Sequence, residues 1–175
     1  MTFIRADFVS AEPRFAEALQ RRFEKYSHPV LATVGKDGSP RVTGLEVAFL
    51  RGELWLGMMP HSWKARDLER DPRFALHANP GPDGRMADGG IGIGGRAVEV
   101  RCGAVRARSA ADRSPPEPFL LFRAGPEEVV QTAVDCSDLL VRVWRQGAPS
   151  AARGAARMRA RRARTPGEPR GPPPW

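Results

Sequence analysis

The feature that most constrains this chain is a change of hydrophobic period, from two residues to about 3.6 and back, within residues 29–78. Pro29-Val-Leu-Ala-Thr-Val is a short β-rich run, and Lys36-Asp37-Gly38 supplies a hairpin turn in which glycine permits positive φ. A second strand is predicted from Arg41 to Leu50. Alternation puts Arg41, Thr43, Leu45, Val47 and Phe49 on one face and Val42, Gly44, Glu46, Ala48 and Leu50 on the other. Arg51-Gly52 turns the chain into a third strand, Glu53-Leu-Trp-Leu-Gly-Met-Met. Three strands joined this tightly make an antiparallel meander. At Ser62 the period switches to that of a two-turn helix, which Asp71-Pro72 stops, and Phe74-Ala-Leu-His-Ala returns to strand.

The flanks fit the same plan. Ser10 is placed to cap an amphipathic helix with Pro13 in its first turn and Phe15, Leu19 and Phe23 as its buried stripe. Glycine-rich residues 89–95 lead into a fifth strand, Arg96-Ala-Val-Glu-Val, and their alternating glycines predict a poor barrel strand. Residues 103–118 read as a loop or weak helix. Val129 to Ala133 and Leu139 to Trp144 make a last pair of strands. Six or seven short antiparallel strands with one helix inserted midway predict a mainly β fold, a small barrel with peripheral helices.

Composition narrows the class. The 175 residues are enough for one core without disulfide staples, and no apolar run approaches membrane-spanning length. The start, Met-Thr-Phe-Ile-Arg-Ala-Asp, offers no hydrophobic segment long enough for a secretory signal, so a cytoplasmic protein is expected. Cys102 and Cys136 stand in no metal-ligand or redox spacing and read as reduced packing residues. The net charge of +8 suggests nucleic acid at first sight. Yet seven arginines against one acid in residues 146–175 supply +6 of it, leaving +2 for residues 1–145. The chain therefore divides into a folded domain, 1–145, and an Arg/Ala/Pro-rich tail, 146–175. That tail is too poor in apolar residues to offset its ordering entropy and is expected to be disordered, with a weak nucleic-acid or anionic-surface tether as the alternative. A helix around 151–163 would have no apolar stripe to dock it. Nucleic acid is not expected as a partner of the folded part.

Chemistry concentrates at Pro60-His-Ser-Trp-Lys, where a strand gives way to a helix. A helix amino terminus presents free N–H groups and partial positive charge to an anion. Lys64 adds a full charge and shares a stripe with Leu68, so it leans toward the sheet. On its own a Ser-x-Lys helix start is common, and the ordinary reading is a solvated lysine. His61 reads as a surface turn residue, His77 as a sheet residue, and His28 has no evident partner. No Ser/His/Asp constellation, metal-ligand cluster or pair of carboxylates demands a catalytic role.

Three stretches change the odds by standing in one order. They are Leu31-Ala-Thr-Val through Asp37-Gly-Ser-Pro-Arg-Val, then Leu54-Trp-Leu-Gly, then Ser62-Trp-Lys-Ala-Arg-Asp-Leu through Asp71-Pro-Arg-Phe-Ala-Leu. Together they resemble the pyridoxamine 5′-phosphate oxidase-like family over roughly residues 15–100, and more loosely beyond. The resemblance implies an FMN-binding split β-barrel, homodimeric, with the cofactor at the subunit interface. It implies that Arg41, Val42 and Thr43 line the cofactor, with Leu45 further along, and that Gly57 and Met58 run beside it. It also implies that Ser62 and Lys64 grip the phosphate. Trp63 replaces the family's arginine there and either stacks on a ring or packs.

Two departures bear on activity. Glu46 stands where the vitamin-forming oxidase has lysine, and the tail lacks that enzyme's closing arginine segment. Both remove positive charge from where a substrate phosphate lies. The resemblance therefore implies an FMN-dependent oxidoreductase transferring hydride to or from another small organic substrate. The alternatives are a deazaflavin-dependent reductase, with Arg66, Arg70 and Arg73 as a basic groove for that coenzyme, and a non-catalytic binder of flavin or haem.

Overall fold

The computed structural model describes residues 6–50, 52–79, 89–101, 118–135, 138–148 and 151–157. Two helices open the fold, α1 (Ala6–Ala11) and α2 (Pro13–Lys25). Ser10 lies inside α1 and is not the cap expected of it. Proline disfavours helical geometry in the residue before it, so Glu12 leaves the helix at φ −139° and becomes the α2 N-cap, with Pro13 following. The stripe itself is as read: Phe15, Leu19 and Phe23 are all buried. Phe8 from α1 joins them, its ring 5.3 Å from Phe15 and 4.8 Å from Trp144.

The described residues form nine strands in one antiparallel sheet. They are β1 (Val30–Val34), β2 (Pro40–Gly44), β3 (Glu46–Leu50), β4 (Glu53–Met58), β5 (Arg73–His77), β6 (Gly90–Glu99), β7 (Leu120–Asp135), β8 (Asp138–Arg145) and β9 (Ala151–Arg157). α3 (Trp63–Arg70) joins β4 to β5. The main path runs β2-β1-β5-β6-β7-β4-β3, with β8 and β9 continuing from the far half of β7. The predicted second strand is thus two. β2 pairs with β1 and β3 with β4, and they stand at opposite ends of the path although only Leu45 separates them. Six inter-strand steps of about 4.8 Å cannot be bridged by one residue in a flat sheet, so the sheet curls until its ends meet. The result is the antiparallel split β-barrel that the sequence predicts, with Leu45 buried at the seam.

The expected hairpin turn is present, with Gly38 at φ 84° and the Asp37 carboxylate accepting from the Ser39 backbone N–H at 3.0 Å. Two other expectations fail. Residues 90–95 belong to a full central strand, β6, paired on both sides. At Gly95 the register shifts opposite Gly125-Pro126, and a Cβ there would lie 2.2 Å from the Gly125 carbonyl oxygen. The bare Cα is what lets the ladder pass this bulge. The predicted disordered tail also begins too early, because 151–157 form β9 against β8. That strand is assembled by backbone pairing to an open edge, which an apolar-content argument does not weigh. Residues 158–175 and nearly all of the loop predicted at 103–118 lie outside the described residues. No described helix is long and apolar enough to cross a membrane.

Gly95→Ala should lower stability by about 1–3 kcal/mol through overpacking. At Gly94 an added Cβ meets open space, so Gly94→Ala should change it by less than about 1 kcal/mol. Urea unfolding of the two variants beside the natural protein measures the difference.

Candidate functional site

The site is built around the start of α3. His61, at φ 62°, turns the chain, and Ser62 caps the helix by accepting from the Ala65 N–H at 3.4 Å. The inner face of α3 buries Ala65, Leu68 and, unusually, Asp67. A buried carboxylate is tolerated only when fully partnered. Asp67 accepts from Thr33 Oγ1 at 2.9 Å, from Arg41 Nε at 2.7 Å and from Arg70 Nη2 at 3.3 Å. Arg70 also donates to the Val34 carbonyl. Burial pushes the Asp67 pKa up, but the bonds from Arg41, Thr33 and Arg70 outweigh it and hold the carboxyl below its usual value. One acid therefore ties α3 to β1 and β2.

This tie aims Arg41. Its Nε is spent on Asp67, and its guanidinium lies over the Trp63 ring, 5.3 Å from the centroid, with Arg66 5.5 Å from the same ring. Thr43 follows Arg41 by two residues on the same face of β2, and its hydroxyl is buried without a hydrogen-bond partner. Lys64 leans toward the sheet as expected, its Nζ donating to the Gly44 carbonyl at 2.7 Å. Desolvation lowers the Lys64 pKa from its usual value.

Beside Lys64 opens a cavity of about 980 Å³ along both faces of β3. Of the predicted residues, Leu45, Gly57, Met58 and Lys64 line it. Ser62 and Trp63 open α3 with Arg41 over the Trp63 ring, and Thr43 lies on the same face of β2 as Arg41; none of the four is in the cavity wall. Val42 is apart from both, with its side chain on the opposite face of β2 and 66% exposed. Sequence reasoning missed the wall contributed by the end of α2 and the residues after it, Phe23, Glu24, Ser27 and His28. It also missed Trp55 and Phe119. The signal available for the first group was the spacing of Phe23 at the last turn of a stripe that ends just before β1. Asp67 was quoted within a motif, but its burial shows only once β1 and β2 cover it.

The fold is a split barrel whose inserted helix starts beside two cations, Lys64 and Arg41, with the unpartnered Thr43 hydroxyl on the strand face that carries Arg41. The family model for pyridoxamine 5′-phosphate oxidase matches residues 15–133, and the chain belongs to that family. A pyridoxamine 5′-phosphate oxidase-related, FMN-binding protein of Nostoc punctiforme superposes with a TM-score of 0.61 at 16% identity, covering 82% of this chain and 95% of that one. HutZ, the haem storage protein of Vibrio cholerae, superposes at 0.52 with 22% identity, covering 67% and 90%. A conserved hypothetical protein of Mycobacterium tuberculosis gives 0.55 at 25% identity, covering 71% and 86%. A comparison with curated proteins gives no match.

Asp67→Asn should cost about 1–3 kcal/mol, discounted for the partial exposure of Arg41 and Arg70. Because folding lowers the Asp67 pKa, its contribution is complete above the usual carboxylate value and is lost as pH falls through the lowered one. Urea unfolding at neutral and acid pH should show the gap between natural protein and variant closing in acid. A gap that stays constant would remove Asp67 as its source.

Proposed function

We propose that this chain is an FMN-dependent oxidoreductase acting on a small organic substrate. The observation that carries the reading is Lys64, in the first turn of α3, with a partly desolvated ammonium between the Gly44 carbonyl and the cavity. An ammonium has three donors, and one is used on Gly44, so two remain for a phosphate. The outer edge of the Arg41 guanidinium and the unpartnered Thr43 hydroxyl complete a donor set that suits a phosphate. Gly57 and Met58 border the cavity that takes the remainder of the cofactor. FMN, when bound, supplies hydride transfer; the protein supplies binding, orientation and exclusion of water.

The deazaflavin alternative asks for a basic groove at Arg66, Arg70 and Arg73. Arg70 is committed to Asp67 and the Val34 carbonyl, and Arg73 to Asp71 at 2.6 Å, which favours FMN. A haem-binding, non-catalytic role is the second reading, supported by His28 in the cavity wall. A Soret band on adding haemin that His28→Ala abolishes would select it. We also propose a homodimer. β3 is an edge strand whose Val47, Ala48, Phe49 and Leu50 are all partly exposed, a surface that folded proteins keep covered. Light scattering should give twice the chain mass; a monomer in the presence of FMN refutes this.

FMN titration followed by flavin fluorescence tests the cofactor. Lys64→Ala should weaken FMN by about 1.5–3 kcal/mol, or roughly ten- to a hundredfold. It should leave riboflavin, which has no phosphate, nearly unaffected. FMN affinity should also fall as pH rises through the lowered Lys64 pKa. Equal losses for FMN and riboflavin would move the phosphate elsewhere.

A further inference from the structure

We infer that the cavity selects an organic cation, a protonated or quaternary amine on an apolar body, and that Glu46 is the residue that determines this. The inference rests on the cofactor reading, in which the cofactor takes the part of this cavity beside Lys64, Gly57 and Met58 and the space it leaves receives the substrate. Four aromatic side chains, Phe23, Phe49, Trp55 and Phe119, contribute to its wall. Phe23 and Phe49 meet edge to face, their centroids 5.9 Å apart. Ring faces attract cations and repel anions, and they do so most strongly where water is excluded.

The charges point the same way. Glu46, Glu24, Lys64 and His28 are the titratable groups in the wall. Lys64 spends one donor on the neutral Gly44 carbonyl and leaves its charge for the phosphate of the cofactor reading, while Glu24, accepting from the neutral Gln20 amide at 2.9 Å, stays a second carboxylate in the wall. Glu46, opposite Gly57 in the β3–β4 ladder, has no ion-pair or hydrogen-bond partner for its carboxylate among the described residues. With the Lys64 charge met by the phosphate, the carboxylates of Glu46 and Glu24 set the sign of a wall whose other side chains are largely rings and aliphatic groups. A lysine at this position would serve a phosphorylated substrate; the carboxylate repels one. Two unlike features, the aromatic wall and the free acid, thus ask for the same ligand.

The test uses two probes with one aromatic body and opposite charge, benzyltrimethylammonium and benzylsulfonate, titrated calorimetrically into the full chain in excess FMN, so that the anion site at Lys64 is filled. The cation should bind at least tenfold more tightly than the sulfonate. Glu46→Gln should reduce that preference severalfold, and Glu46→Lys should abolish or invert it. Glu46 is exposed, so both variants should keep the natural circular dichroism and melting temperature. Equal binding of the two probes, or a preference untouched by Glu46→Lys in a folded variant, overturns the inference. The FMN titration of the natural protein separates the two proposals. Cation preference without FMN binding sinks the cofactor reading alone, and FMN binding without cation preference sinks this one alone.

Discussion

One covalent constraint organises the molecule: Leu45 is all that separates the two ends of a seven-strand path. The sheet cannot lie flat and also satisfy the β1–β2 and β3–β4 ladders, so it closes toward a barrel. Closure is incomplete, because β2 and β3 are joined end to end and do not pair side by side. The gap that remains is where the cavity lies, and Leu45 at its seam is buried, with its N–H donating to the Pro29 carbonyl at 3.3 Å. The site is therefore a consequence of how the sheet fails to close. A loop added later to a finished barrel would not be needed to make it.

The second constraint is electrostatic. α3 crosses from β4 to β5 and contributes a lysine to the cavity, but a two-turn helix has little intrinsic stability. Asp67 supplies what propensity does not. It collects Thr33 from β1, Arg41 from β2 and Arg70 from its own helix. The same three bonds that make its burial tolerable fix the start of α3 relative to the strand bearing Thr43 and Gly44. A neutral apolar residue at 67 would pack as well, yet it would leave Arg41 with no reason to lie over Trp63. Stability and aim come from one group.

How far the sequence disclosed this depends on whether each signal was local. Hairpin glycines, the Ser62 cap and the strand periods are decided by neighbours along the chain, and they were legible. The break at Leu45 was not, because alternation runs unbroken from Arg41 to Phe49 while the pairing partner changes underneath it. The β6 glycines looked like a defect since propensity penalises them. Only the approach of Gly125 across the ladder shows that a side chain at Gly95 has no room. β9 was missed for the same reason, its cause being the free edge of β8. In the site, Lys64 was legible from its place in a capped helix and a collinear resemblance. The wall from Phe23 to His28 was not, because nothing local says which way the end of α2 faces.

Position 46 shows what family membership fixes and what it leaves open. The split barrel is the family's, and in this chain the helix start and its cations stand at one end of the gap. The other end of that gap is a surface on an edge strand, where a side chain neither packs in the core nor pairs. Such a position is free of the stability constraints that hold Asp67 or Gly95, so its charge can change with little cost to folding. A lysine and a glutamate there serve the same scaffold equally well and present opposite fields to whatever enters. Where the fold is indifferent to a residue and the cavity is not, the residue's chemistry records the ligand, and here that chemistry is acidic in an aromatic setting.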